Sequence, residues 1–242
     1  MIEVAHLAKR FGTVQALHDL SFRARDGRVT GLLGPNGAGK STCLRILYTA
    51  IRPDSGEAFV NGHDCIHETL AVRRSLGVLP HSTGLYPNLT ARENIRYYGE
   101  LHGLSGAALE RSIDALLARL DLIDIAERRA KGLSQGQRIK VALARALVHG
   151  PRNIILDEPT NGLDVMAIRA LRDLIRGLRE DGCCVLLSSH VMQEVGALCD
   201  DLVIIGKGRV LLEGSPADLM AATSAPNLEE AFVQLSQREQ PA

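Results

Sequence analysis

The run Gly34-Pro35-Asn36-Gly37-Ala38-Gly39-Lys40-Ser41-Thr42 constrains this chain more than any other stretch. It fits G-x-x-x-x-G-K-[ST], the pattern of a phosphate-binding loop, at every fixed position. The apolar Val29-Thr30-Gly31-Leu32-Leu33 before it reads as a buried strand, and Cys43-Leu44-Arg45-Ile46-Leu47 after it as a helix. The glycines let backbone N–H groups curl inward into an anion nest. The helix N-terminus adds its positive dipole end at the same point. Lys40 has the reach for β- and γ-phosphates, and the Ser41 hydroxyl suits Mg²⁺. An α/β chain organised around a nucleotide phosphate is therefore expected.

A second stretch carries complementary chemistry. Asn153-Ile154-Ile155-Leu156-Asp157-Glu158 is an apolar strand that ends in two carboxylates. Asp157 can hold Mg²⁺, directly or through water, and Glu158 can polarise an attacking water. Cys183-Cys184-Val185-Leu186-Leu187 is another buried strand, followed by Ser188-Ser189-His190. A His at the C-terminal end of a parallel strand faces the same edge as the phosphate loop. His190 thus reads either as a hydrogen-bond partner of the γ-phosphate or as a plain neighbour of a helix N-cap. Phe11 reads either as an adenine-stacking ring or as a core residue.

Composition narrows the function classes. Lys plus Arg and Asp plus Glu are both 28, so formal net charge is zero and no basic excess points to nucleic acid. Hydrophobic residues make up 45%, enough for a packed core across 242 residues. The apolar runs fall far short of the roughly 18 residues that a membrane span needs. Met1-Ile2-Glu3-Val4 has no basic region followed by an apolar stretch, so no secretory leader is expected. The five cysteines form no C-x-x-C, and reduced thiols are expected.

The remaining elements follow in order. Ile2–Val4, Leu20–Ala24 and Val29–Leu33 read as strands, with Asp26-Gly27 as a hairpin turn between the last two. Glu57–Val60 is a strand between the turns Pro53–Gly56 and Asn61-Gly62. His63-Asp64-Cys65-Ile66-His67 alternates metal-ligand types but lacks a fourth ligand nearby, and reads as a solvated loop. Leu76–Leu79 is a strand; Thr90-Ala91-Arg92-Glu93 is a capping box, and Ser105 opens a helix with Leu109, Ile113, Leu116, Leu117 and Leu120 on one face. The stretch from about 89 to 149 is therefore an inserted helical lobe, with Asp124–Lys131 exposed. Leu133-Ser134-Gln135-Gly136-Gln137 opens its last helix and makes another anion-binding end. Asp164 caps a helix that runs through Glu180. Leu202–Ile205 and Arg209–Glu213 form a hairpin, and Asn227–Leu235 a short final helix.

Taken together, these motifs resemble the ATPase subunits of ATP-binding cassette (ABC) transporters. The likeness covers roughly residues 2–236, leaving 237–242 as a tail. Gly34–Thr42 is similar to the family's Walker A loop, Leu133–Gln137 to its signature, Asn153–Glu158 to Walker B with the catalytic glutamate, Asn161–Asp164 to the D-loop, and His190 to the switch histidine. Phe11 falls where the family places its adenine-stacking aromatic. Two residues depart from the pattern. Gln135 replaces the usual first glycine of the signature, and His81 stands at the position of the Q-loop glutamine, which touches Mg²⁺ and the attacking water.

The resemblance implies a P-loop ATPase fold with an N-terminal antiparallel β subdomain and an inserted helical lobe. It implies ATP and Mg²⁺, with Glu158, His190 and Lys40 catalytic and with Ser41, Asp157 and His81 near the metal. It implies a head-to-tail pair of subunits, in which Ser134, Gly136, Gln137 and Asp164 complete the partner's site. It also implies a separate integral-membrane permease, and a location on the inner face of the cell membrane. Thr83–Tyr86, Leu89–Asn94 and the ending Leu228–Phe232 resemble the sodium-efflux (NatA-type) and wider export branch. Export of a drug or polysaccharide, or a non-transport role such as cluster assembly, stands as the alternative.

Overall fold

The computed structural model describes residues 1–237. Two sheets form. The first is antiparallel, in the order β2 (Val14–Ala24), β1 (Ile2–Phe11), β4 (Ser55–Val60), β5 (His63–Asp64). The second has six strands, in the order β10 (Arg209–Gly214), β9 (Asp201–Gly206), β3 (Val29–Leu33), β8 (Cys184–Ser189), β7 (Asn153–Asp157), β6 (Leu76–Leu79). All of its pairings are parallel except β9 with β10.

Alternation along the parallel strands builds two cores. Leu32, Ile155, Leu186 and Val203 point to one side, where they meet Ile2, Leu7, Leu17 and Leu20 of the antiparallel sheet and helix α1 (Lys40–Leu47). Leu33, Ile154, Val185 and Ile204 point to the other, against the helices. Strands buried on both faces must be apolar throughout, as Val29–Leu33 and Ile154–Leu156 are.

Helix α2 (Thr69–Ser75) leads into β6. The lobe that follows holds α3 (Ala91–Leu101), α4 (Gly106–Arg119), two short 3₁₀ turns and α5 (Gln135–Leu147). Thr90 and Glu93 form the expected capping box at the start of α3. Leu109, Ile113, Leu116, Leu117 and Leu120 are all buried, as their spacing predicts. Between Asp124 and Lys131 the charged side chains are exposed, but Ile125, Ala126 and Ala130 are buried. The last helices are α6 (Val165–Glu180), α7 (Met192–Gly196), α8 (Pro216–Thr223) and α9 (Leu228–Gln237). All five cysteines are free and buried. The tail expected over 237–242 lies, beyond its first residue, outside the described residues.

Three sequence expectations are corrected. Asp26-Gly27 is a turn but not a hairpin, because β2 and β3 belong to different sheets; the Gly27 N–H is bonded instead to the carbonyls of Gly182 and Cys183. The segment His63–His67 is not simply solvated: His63 and Asp64 pair with β4, and Cys65 is buried beneath them. Strands β1 and β2 are far longer than Ile2–Val4 and Leu20–Ala24, because irregular registers after Val4, Leu7 and Lys9 break the two-residue alternation that marks a strand in sequence.

Candidate active site

The parallel register gathers the site. Leu33 pairs with Ser189, Asp157 with Ser188, and Leu79 with Leu156, so these strands all end at one edge. The residues that follow, Gly34, His190, Glu158 and Pro80-His81, therefore share that edge. The loop from Gly34 runs into α1, whose N-cap is Gly39 at φ +107°. A Cβ there would lie 2.6 Å from the Ala16 carbonyl oxygen, so backbone conformation and space both demand glycine.

Lys40 is buried (6% exposed), and its Nζ donates to the carbonyls of Gly34 at 2.5 Å and Pro35 at 3.2 Å. Glu158 Oε1 lies 3.6 Å from the same ammonium. Burial pulls the Lys40 pKa below the usual lysine range, and the facing Glu158 carboxylate opposes that shift. Asp157 is buried and accepts from Ser188 Oγ at 2.7 Å and Ser41 Oγ at 3.3 Å. Ser188 Oγ also accepts the Glu158 N–H at 2.9 Å. Glu158 holds φ +52°, a left-handed backbone that a non-glycine residue adopts only when its surroundings impose it. His190 Nδ1 is 2.8 Å from Glu158 Oε2.

A cleft opens over these groups. Pro35, Asn36, Gly37 and Gly39–Thr42 line its floor, His81, Glu158, Asn161 and His190 one wall, and Val14–Ala16 the outer rim. The family profile described as ABC transporter matches residues 17–161, which include this whole loop and the paired acids. This chain belongs to the ABC transporter family. It is 38% identical over 238 residues to the ABC transporter ATP-binding protein NatA of Bacillus subtilis, covering 96% of this chain and 97% of that one. It is 35% identical over 232 residues to the Nod factor export ATP-binding protein I of Cupriavidus pinatubonensis, covering 96% of this chain and 71% of the other. Among solved structures, an ATP-binding subunit of an ABC transporter superposes with TM-score 0.90 at 31% identity, over 97% of this chain and 99% of that one. The dimeric cassette MJ0796, in a post-hydrolysis state with ADP and Pi, superposes with TM-score 0.79 at 26% identity, over 89% and 98%. The chain is accordingly the ATP-binding and ATP-hydrolysing subunit of an ABC transporter.

The ABC motifs fall into two places. The loop residues Pro35, Asn36, Gly37, Gly39, Lys40, Ser41 and Thr42 line one cleft with His81, Glu158 and His190. Gly34 and Ala38 shape the same loop from behind: Ala38 is buried, and a Cβ on Gly34 would lie 2.4 Å from the Ile205 carbonyl oxygen. Asp157 sits under the loop through Ser41. Phe11 is 48% exposed, which removes the core alternative; it pairs with Val14 at the cleft rim, and Lys9 Nζ lies 5.5 Å from its ring centroid.

Ser134, Gly136, Gln137 and Asp164 do not line this cleft. Ser134 caps α5 and forms a capping box with Gln137, Gly136 lies in the first turn of α5, and Asp164 caps α6 by accepting from the Ala167 N–H. Two contributors escape sequence reasoning. Ser188 holds both acids, and its place one residue before the end of β8 was the available signal. Asn161 lines the cleft, although within the D-loop-like run Asn161–Asp164 only Asp164 was expected at a nucleotide.

Proposed function

We propose that ATP is hydrolysed at this cleft, between two subunits packed head to tail, to power export through a separate membrane permease. The observation that carries this reading is the Glu158 carboxylate, held between Lys40 Nζ at 3.6 Å and His190 Nδ1 at 2.8 Å at the mouth of the phosphate loop. The loop N–H groups and the start of α1 bind the phosphate chain. The partners of Lys40 at hand are two carbonyls and Glu158, which its ammonium can exchange for β- and γ-phosphate oxygens. Glu158 then faces an attacking water in line with the γ-phosphate, and His190 steadies both the carboxylate and the transferred group.

The donor set fits Mg²⁺: the Ser41 hydroxyl and the Asp157 carboxylate are hard oxygens in contact, with the His81 imidazole on the same wall as an outer contact. When bound, the ion neutralises charge on the β- and γ-phosphate oxygens.

Pairing is supported by what the cleft lacks and by what lies apart from it. Ser134, Gly136 and Gln137 sit at a separate helix N-terminus suited to an anion, which a second copy could present to the γ-phosphate. Beside the Asp164 cap, Val165 and Met166 are 81% and 70% exposed, apolar surface that a partner subunit would cover. Among the described residues no helix is long and apolar enough to cross a membrane; this reading assigns translocation to the permease. Exposed Tyr86 and Tyr97, edge to face with centroids 5.3 Å apart beside the His81–Asn88 segment, offer the permease an aromatic contact. That contact would hold the subunit on the inner face of the membrane. Sodium is the solute that the NatA-like sequence features favour. Glu158→Gln tests the reading: light scattering with ATP should report a stable pair that turns over little, and a monomer at saturating ATP would refute it.

A further inference from the structure

Gln135 occupies the signature position where the family usually has glycine, and hydrolysis as described makes no use of its side chain. Its Nε2 donates to the Asn161 carbonyl at 3.1 Å. The Asn161 N–H in turn donates to the Glu158 carbonyl at 3.2 Å. Two successive hydrogen bonds thus run from the first residue of α5 to the backbone of the catalytic glutamate. The amide packs against Gly162: a Cβ there would fall 2.1 Å from Nε2. Gly162 also has φ +72°, so this position accepts little but glycine.

The tether borders open space. A cavity of 370 Å³ adjoins the segment Glu158–Gly162; Gln135 and Arg138 line it together with His81, Glu158 and Asn161. Those last three residues also line the nucleotide cleft, so the two spaces adjoin there. Ser188 anchors the start of the segment through the Glu158 N–H, and Gln135 anchors it further on through the Asn161 carbonyl. At the other end, Ser134 and Gln137 lock the first turn of α5 in their capping box, so a shift of Ser134 carries Gln135 with it.

We propose that Gln135 is a positioning residue that ties the signature turn of one subunit to Glu158 of the same subunit. This rests on the head-to-tail reading, in which Ser134 and Glu158 of one chain serve different ATP molecules. Contact of Ser134 with one ATP then sets the catalytic geometry at the other.

Three proteins test it: Gln135→Gly, Gln135→Met and wild type, each also carrying Glu158→Gln for a pairing assay. Met fills the space of Gln without an N–H donor. Both substitutions should lower kcat about 5-fold, the worth of one such hydrogen bond. Half-saturating ATP and ATP-dependent pairing on the Glu158→Gln background should stay at the wild-type level, and the thermal midpoint should fall by no more than about 4 °C, the stability worth of one hydrogen bond. A Gln135→Met protein with wild-type kcat would show that only bulk matters and overturn the tether. Reduced pairing in either variant would place Gln135 in the interface and overturn it as well. If Glu158→Gln with native Gln135 fails to pair, the head-to-tail reading itself falls, whereas normal pairing with unchanged kcat sinks the tether alone.

Discussion

The imidazole of His190 and the carboxylate of Glu158 meet at 2.8 Å although 32 residues separate them in sequence. Their contact follows from one register. β7 and β8 are adjacent and parallel, with Asp157 opposite Ser188, so the residues just beyond them emerge side by side. Ser188 fixes the turn by accepting the Glu158 N–H, and the left-handed backbone at Glu158 follows. His190→Ala should therefore leave ATP binding intact and lower kcat by about 10²-fold or more, the usual scale for a group that orients a general base. Nucleotide titration alongside phosphate release checks both halves. Equal losses in affinity and turnover would count against the assigned role.

His81 lines the cleft where the family usually has glutamine. A neutral imidazole offers one acceptor and one donor, as an amide side chain does. A protonated one would be repelled by a divalent cation. His81→Gln should retain or raise steady-state ATPase activity, because the amide offers the same donor and acceptor without the possibility of positive charge beside the cation. Complete loss of activity in this variant would contradict the assignment.

The parts of this molecule that sequence reveals are those fixed by local chemistry. Gly34–Thr42 declares itself because only that spacing of glycines builds the nest before a helix. Val29–Leu33 and Asn153–Asp157 are legible because strands buried on both faces must be apolar throughout. Long-range pairing decides the rest. Asp26-Gly27 has hairpin chemistry, yet the following strand joins another sheet. The length of β1 is hidden by its irregular registers and by His6 at φ +51°, since each irregularity resets the alternation. Cys65 looks like part of a polar loop because its burial comes from elements distant in sequence, among them the Leu47 carbonyl against its thiol. The tether from Gln135 to Asn161 spans 26 residues and leaves no periodic trace.

Asn94 is such a case with consequences for stability. It is fully buried in α3, where its Oδ1 accepts the Tyr86 N–H at 2.9 Å and its Nδ2 faces the carbonyls of Tyr86, Leu89 and Thr90 at 3.2, 3.3 and 2.9 Å. One side chain thus holds the loop that carries Tyr86. Asn94→Ala strands these backbone groups and should cost about 3 kcal/mol. Thermal unfolding should shift down by about 6–12 °C for a domain of this size. A shift under about 2 °C would show that water replaces the amide.

His149 makes a prediction about acid. Its ring stacks on that of His102, with centroids 3.6 Å apart and planes within 8°. Burial pushes the His149 pKa down to about 4, and the neighbouring His102 pushes the same way. Burial also lowers the pKa of His102. The folded protein therefore keeps His149 neutral where the unfolded chain, titrating near 6.5, takes up a proton. Between those two values the unfolded state binds more protons, so stability falls as pH falls. The contribution is complete above pH 6.5 and is lost progressively down to about pH 4. Phe has nearly the shape to keep the stack but cannot titrate. His149→Phe should therefore lose less stability than wild type between pH 6.5 and 4, with the two curves running parallel above pH 7. Denaturant unfolding across that range measures the difference, and coincident slopes below pH 6.5 would show that His149 is protonated in the folded protein too.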